Sequence, residues 1–451
     1  MEYLNTAQEL LDFIMRCKSP FHVVKEASDL LNENGYTKLE ETKEWSLVPG
    51  GKYYVTRNES SVIAFQIPES AFSSYQIIAS HSDCPTFKVK GEDPFVTDGH
   101  YTRLNVEGYG GMIRSPWFDR PLSLAGRMVV RDGNSVKSVL VDAGRDLVTI
   151  PNLPIHLNRD INNGIKYSVQ TDMLPILGDE TAKDHFYELF LPDTAKEDIL
   201  SMELYLYNRV EGSIWGASKE FLSSGRLDDL QSAFGSLKGF LAAKATGQVN
   251  VCAIFDNEEV GSLTKQGADS SFLTETLQHI NAACGKDTIA YHRDLAGSFM
   301  VSADNAHAFH PAHAEKYDPK SRVYMNGGVV IKLDVAAVGT TNFLLHANDH
   351  AADDVALLHV GVRRGFFNAA DDDIAQSRIT ALGAAQDLDA LHLASAGVVD
   401  HGEHGLHLNH VMFLLSLSIV LVPEHSNYLA FSTIFSKRQR FILDSGRVSM
   451  I

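Results

Sequence analysis

The residues most able to do chemistry stand where short apolar runs give way to polar sequence. His81 and Asp83 follow YQIIAS, and Asp256, Glu258 and Glu259 follow VNVCAIF. Asp304 follows GSFMVSA, and Asp228 opens an apolar helical stretch. In open α/β sheets, sites form outside the carboxyl ends of strands. One imidazole and several carboxylates converging there suit a pair of divalent ions. Imidazole and carboxylate oxygens both suit Zn²⁺, and carboxylates also suit Mn²⁺. Each piece alone has an ordinary reading. An H-x-D is a common surface or capping pair, a Glu-Glu pair is commonly solvated, and Asp228 would make a good N-cap. Spacing by itself leads as far as a metallohydrolase.

The elements that must position these groups are visible in the pattern. Leu4, Leu10, Leu11 and Ile14 recur at roughly helical spacing before Ser19-Pro20, and VVKEASDLLNENG predicts a second helix ending at Asn-Gly. KYYVTRNESSVIAFQI holds two apolar runs around a polar turn, followed by the short strand of YQIIASHSD. Residues 88–221 change texture. Short β-rich runs such as GRMVVRD, SVKSVLVDAG and MELYLYN are separated by Gly, Asp and Asn turns, which reads as a β-rich insertion. Leu230, Phe234, Leu237 and Leu241 then mark one face of a helix ending near Gly247. Strand VNVCAIF, a helical segment to about Cys284, and strands GSFMVSAD and GGVVIKLD follow. Strands alternating with helices imply a largely parallel sheet in an α/β domain.

Composition narrows the partners. The 451 residues carry 39 basic and 57 acidic side chains, a net charge of -18. That argues against nucleic acid and anionic membrane surfaces, which attract basic proteins. Cys17, Cys84, Cys252 and Cys284 are scattered, which suggests reduced thiols and a cytoplasmic home. No basic region precedes an apolar run at the start. The apolar stretch Val411 to Val422 is too short to span a bilayer and reads as a buried strand or helix.

DNEEVGS, Asp256 to Ser262, resembles the signature of the aspartyl aminopeptidase family, the M18 zinc exopeptidases. Further stretches agree in order: SPFHVV at Ser19, HSDCPTFKVK at His81, PWFDRPLSLAGR at Pro116, LPIHLNRDIN at Leu153, SGRLDDL at Ser224, SADNAHAFHP at Ser302 and GGVVIKL at Gly327. The resemblance covers roughly residues 1–333. It implies a catalytic α/β domain of residues 1–87 and 222–451, interrupted by a β-rich dimerisation domain over 88–221. It implies two divalent ions, zinc first with manganese or cobalt as substitutes. His81, Asp228 (bridging), Glu259 and Asp304 would be ligands, and Glu258 the general base. Asp83 would orient His81, in keeping with the i, i+2 geometry of a strand. His156 would reach a neighbouring subunit's site and stabilise the oxyanion. Lys332 would face the substrate's acidic side chain, supplying the counter-charge that a desolvated carboxylate needs. The implied activity is removal of N-terminal Asp or Glu from peptides by a homo-oligomer, in the family a tetrahedral dodecamer.

After about Leu333 the pattern departs. FFNAADDDIAQSRIT stands where the family has Asn-Arg-Ser-Asp followed by Gly-Gly-Ser-Thr, and the family's final Met-His-Ser ligand is missing. The nearest echo is GAAQDLDALHLASAGVVDH, which makes His392 the candidate last ligand, with His401, His404, His407 and His410 crowding the same region. Three readings follow: an active acidic aminopeptidase, an assembled but catalytically impaired shell with a divergent C-terminal third, and a related metallo-aminopeptidase of other specificity.

Overall fold

The structure, a computed structural model, describes residues 2–91 and 93–332, together with the strands Val360–Arg364, Val411–Ser418, Phe441–Asp444 and Arg447–Met450. His392, His401, His404, His407 and His410 lie outside the described residues.

Two helices, Glu2–Arg16 and Pro20–Glu33, lead into a large mixed sheet. Pro20 takes the first turn of the second helix, where its missing N–H costs nothing. The sheet runs in the order Thr37–Lys38, Lys52–Arg57, Ser61–Gln66, Val249–Phe255, Tyr75–His81, Phe299–Ser302, Val411–Ser418, Val330–Lys332. Its central pairings, from Val249–Phe255 across to Val411–Ser418, are parallel. Parallel strands buried on both faces read as continuous apolar runs, and every residue of Val249–Phe255 is buried.

Helices cover both faces. Leu230, Ala233, Leu237 and Phe240 of the helix Leu227–Ala242 pack with Leu10, Ile14 and Val24 against Ile78, Cys252 and Val301. On the opposite face, Phe272, Leu277 and Ile280 of Phe272–Ala283 pack with Tyr291 and Leu295 against Ile77, Val251 and Met300. The helix expected to end near Gly247 stops at Ala242, because Ala243 turns extended. The helix Thr288–Ala296 carries no strong apolar pattern in sequence; Asp287 starts it by accepting the N–H of Ala290 at 2.7 Å.

A second, antiparallel sheet is ordered Ser135–Asp142, Leu122–Asp132, Ile199–Asn208, Thr86–Val89, Val106–Tyr109. It has its own core around Phe87, Leu124, Met128 and Leu204. The strand Thr86–Val89 already belongs to this sheet, so the change of sheet falls slightly before residue 88. Phe21, Tyr109 and Tyr205 pack together where the two units meet. Arg127 lies over the Phe21 ring at 4.2 Å and donates to the Asn58 carbonyl at 2.8 Å.

Candidate metal centre

The parallel register sets the site. Phe255 pairs with His81, so the segment Asp256–Glu259 leaves the sheet beside that histidine. Ser302 pairs with Ala79, which brings Asp304, two residues on, to the level of His81. The helix Leu227–Ala242 delivers Asp228 and Asp229 to the same edge. Both have non-helical backbone angles, and the peptide bond between them is cis. The Asn305 side chain donates to the Leu227 carbonyl, tying the Asp304 loop to this turn.

His81, Asp228, Asp229 and Asp304 each offer a ligand atom within 4.8 Å of the others. His81 Nε2 lies 3.4 Å from Asp228 Oδ1, 3.7 Å from Asp229 Oδ2 and 3.8 Å from Glu258 Oε2. On its other side, Nδ1 stands 3.0 Å from the Asp83 carbonyl and 3.3 Å from Asp83 Oδ1. An imidazole whose Nδ1–H is donated to Asp83 turns a lone pair on Nε2 toward three carboxylates. That arrangement is repulsive unless a proton or a cation sits between them. Asp229 Oδ1 is buried without a hydrogen bond, the kind of orphan a metal ion satisfies. Imidazole nitrogen and carboxylate oxygen are both donors that zinc takes, and carboxylates also suit manganese. The residues therefore fit a divalent ion.

The electrostatics agree. Burial alone would depress the His81 pKa, but the carboxylates of Asp229, Asp228 and Asp83 outweigh it and hold the pKa well above the usual imidazole range. Burial, reinforced by Asp304 and Asp228, raises Asp229 well above the carboxylate range despite His81. Burial first, then neighbouring carboxylates, push Glu258 up to about 7 and Glu259 up to about 9. So much negative charge in so little water demands compensation.

Asp83 organises the loop bearing the two glutamates. Fully buried, it accepts the backbone N–H of Glu258 on Oδ1 and that of Glu259 on Oδ2, each at 3.1 Å. Gly110 lets Glu259 approach. A Cβ there would stand 2.5 Å from Glu259 Oε2, and its φ of +74° also favours glycine.

The structure thus gathers His81, Asp83, Asp228, Asp304 and Glu258 around one point. Glu259 flanks it, close enough for Asp228 to raise its pKa. His156 is placed elsewhere, exposed in a turn of the second unit. Lys332 ends the strand Val330–Lys332 and pairs with Ser416. Asp229 was not singled out from sequence. Its signal was the Asp-Asp pair of SGRLDDL directly before buried Leu230, of which only the first member was taken.

Comparison with known proteins places this arrangement. The model of the aminopeptidase I zinc metalloproteases (M18) matches residues 13–358. The chain is 42% identical over 349 residues to the probable M18 family aminopeptidase 2 of Clostridium acetobutylicum, covering 75% of this chain and 81% of that one. It is 33% identical over 380 residues to the aspartyl aminopeptidase of Caenorhabditis elegans, covering 77% and 80%. Among solved structures, mApe1 of Chaetomium thermophilum superposes with a TM-score of 0.67 at 30% identity, covering 73% of this chain and 80% of that one. A chain of the Ape4 and Nbr1 complex superposes with a TM-score of 0.70 at 31% identity, covering 75% and 71%. With the family model spanning most of its length and the metal-fitting cluster at its sheet edge, the chain belongs to the M18 family of zinc metallo-aminopeptidases.

Proposed function

We propose that the chain is a two-metal aminopeptidase that removes acidic residues, aspartate above all, from peptide N-termini. The observation that carries this reading is the cluster of His81, Asp228, Asp229 and Asp304 with the Glu258 carboxylate 3.8 Å from His81 Nε2. Zinc is the first choice of ion, with manganese or cobalt as substitutes. Asp228, whose side chain is 53% exposed at the mouth of the cluster, would be the ligand shared by the two ions. His81, Glu259 and Asp304 would complete the site, with His392, which lies outside the described residues, as the candidate last ligand. A divalent ion held there supplies positive charge and makes water nucleophilic at neutral pH. Glu258 then serves as the base. Its carboxylate, 3.8 Å from His81 Nε2, would accept a proton from water and return it to the leaving amine.

Acidic specificity draws support from the printed name of the C. elegans relative and from Lys332 as the counter-charge. A homo-oligomer, with a dodecamer as the full assembly, draws support from the loop around His156. Leu153, Ile155 and Leu157 expose 51%, 47% and 73% of their surface there, an apolar run that a second copy would cover. From it, His156 would stabilise the oxyanion in a neighbouring site. A cytoplasmic home draws support from the four free cysteines.

A second reading, a catalytically impaired shell, is favoured by one observation. The sequence after Leu333 lacks the family's Gly-Gly-Ser-Thr and Met-His-Ser segments. The test is steady-state kinetics on peptides differing only in their first residue, with metal content measured on the same sample. A kcat/KM for Asp or Glu at least about tenfold above neutral and basic residues is expected, with two ions per chain. Equal or faster cleavage of neutral residues would overturn acidic specificity. One ion or none, with no turnover, would favour the shell.

A further inference from the structure

We propose that Tyr109, a residue of the antiparallel unit, is a positioning residue for the reaction, closing a buried hydrogen-bonded ring that holds the glutamate loop and the His81 imidazole in place. The inference rests on the metal-centre reading for its functional consequence, though the ring itself stands on geometry.

Tyr109 ends the strand Val106–Tyr109 and is buried. Its hydroxyl donates to Asp83 Oδ2 at 2.8 Å and accepts the Asn257 side-chain amide at 2.8 Å. Asp83 also accepts the N–H groups of Glu258 and Glu259. Asn257 precedes Glu258 in the chain, so the path closes from phenol to carboxylate to the 258–259 backbone to Asn257 and back to the phenol.

The chemistry of each corner requires a hydroxyl at this position. Both Asp83 oxygens accept, Oδ1 from the Glu258 N–H and Oδ2 from the Glu259 N–H. The Asn257 carbonyl oxygen is already taken by Thr264 Oγ1 and Gln266 Nε2, each at 2.7 Å, so its amide must donate. The group between them must give one proton and take another, which a hydroxyl does and a phenyl ring cannot. Asn257 itself sits at a φ of +64°, held there by these side-chain bonds. With its Oδ2 pinned by Tyr109, Asp83 keeps Oδ1 facing His81 Nδ1 at 3.3 Å. The antiparallel unit thereby reaches within two hydrogen bonds of the metal-facing imidazole.

The test is Tyr109→Phe, which keeps the ring packed edge-on against Tyr205 at 5.6 Å. The control is Tyr207→Phe, which removes another phenol hydroxyl of the antiparallel unit, one that donates within that unit to Asp142 Oδ1 at 2.7 Å. In metal-free protein, Tyr109→Phe is expected to speed amide hydrogen exchange at Glu258 and Glu259 about 10- to 100-fold, the range expected when a charge-assisted hydrogen bond is lost and its partners stay buried. The control should leave those amides unchanged. In the metal-loaded protein, Tyr109→Phe is expected to weaken Zn²⁺ about tenfold in competition with a chromophoric chelator. It should also lower kcat with KM within about twofold. Exchange at Glu258 and Glu259 that matches wild type overturns the proposal. Faster exchange spread evenly over both sheets also overturns it, since that marks a packing residue only. Local exchange that responds in a wild type binding no Zn²⁺ upholds the ring and overturns the metal-centre reading instead.

Discussion

The backbone N–H of Glu258 donates to Oδ1 of Asp83 at 3.1 Å, joining positions 175 residues apart. The same oxygen faces His81 Nδ1 at 3.3 Å. One buried carboxylate therefore ties the backbone of the candidate base to the candidate imidazole ligand.

Glu258→Gln is expected to abolish turnover while leaving metal content unchanged, because the amide keeps the size and loses the basicity. Loss of a positioned general base costs about 10² to 10⁴-fold in rate. A variant keeping more than half of the wild-type kcat would exclude Glu258 as the base.

Asp229→Asn is expected to weaken Zn²⁺ binding about 10- to 100-fold without unfolding the protein. The amide oxygen can still accept the His81 backbone N–H, now 3.1 Å from Asp229 Oδ2, while the carboxylate beside Nε2 is lost. Chelator competition measures the affinity. A value within twofold of wild type would remove Asp229 from the site.

His156→Phe is expected to lower kcat about 10² to 10³-fold with little change in KM, since an oxyanion donor acts in the transition state. Mixing this variant with Asp228→Ala should restore part of the activity if His156 serves a neighbouring subunit. No recovery after verified subunit exchange would confine each site to one chain.

The carboxylate cluster predicts how stability responds to pH and metal. Burial raises Glu258 to about 7 and Glu259 to about 9, so the metal-free fold binds these protons more tightly than the unfolded chain does. Stability from this source is fully present below the ordinary carboxylate range of about 4.3 and is lost as pH climbs toward about 9. A bound divalent ion compensates the charge. The melting temperature of chelator-treated protein should therefore fall between pH 6 and pH 9, and the stabilisation by added Zn²⁺ should widen over the same interval. A metal-induced shift that narrows with rising pH would contradict this account.

The sequence by itself determined most of the elements and the residue types that stand at the sheet edge. Continuous apolar runs such as VNVCAIF can only be satisfied by burial on both faces, so the parallel sheet and the polar residues at its edge were legible from pattern. So were the family motifs that named His81, Asp228, Glu258, Glu259 and Asp304. What pattern could not supply was register and partnership. Which strand lies beside which is decided by long-range packing, and only the pairings of Phe255 with His81 and Ser302 with Ala79 bring Asp304 and the glutamates to one level. Asp229 looked like a neighbour of Asp228 and became a buried member of the cluster, because the backbone at that turn leaves the helical path. Asn257 and Tyr109 carry no spacing that relates them, lying 148 residues apart, one in the turn after Val249–Phe255 and the other in the antiparallel sheet. Their connection exists only because the antiparallel unit folds back against the α/β sheet and the buried oxygens of Asp83 must be satisfied where the two meet.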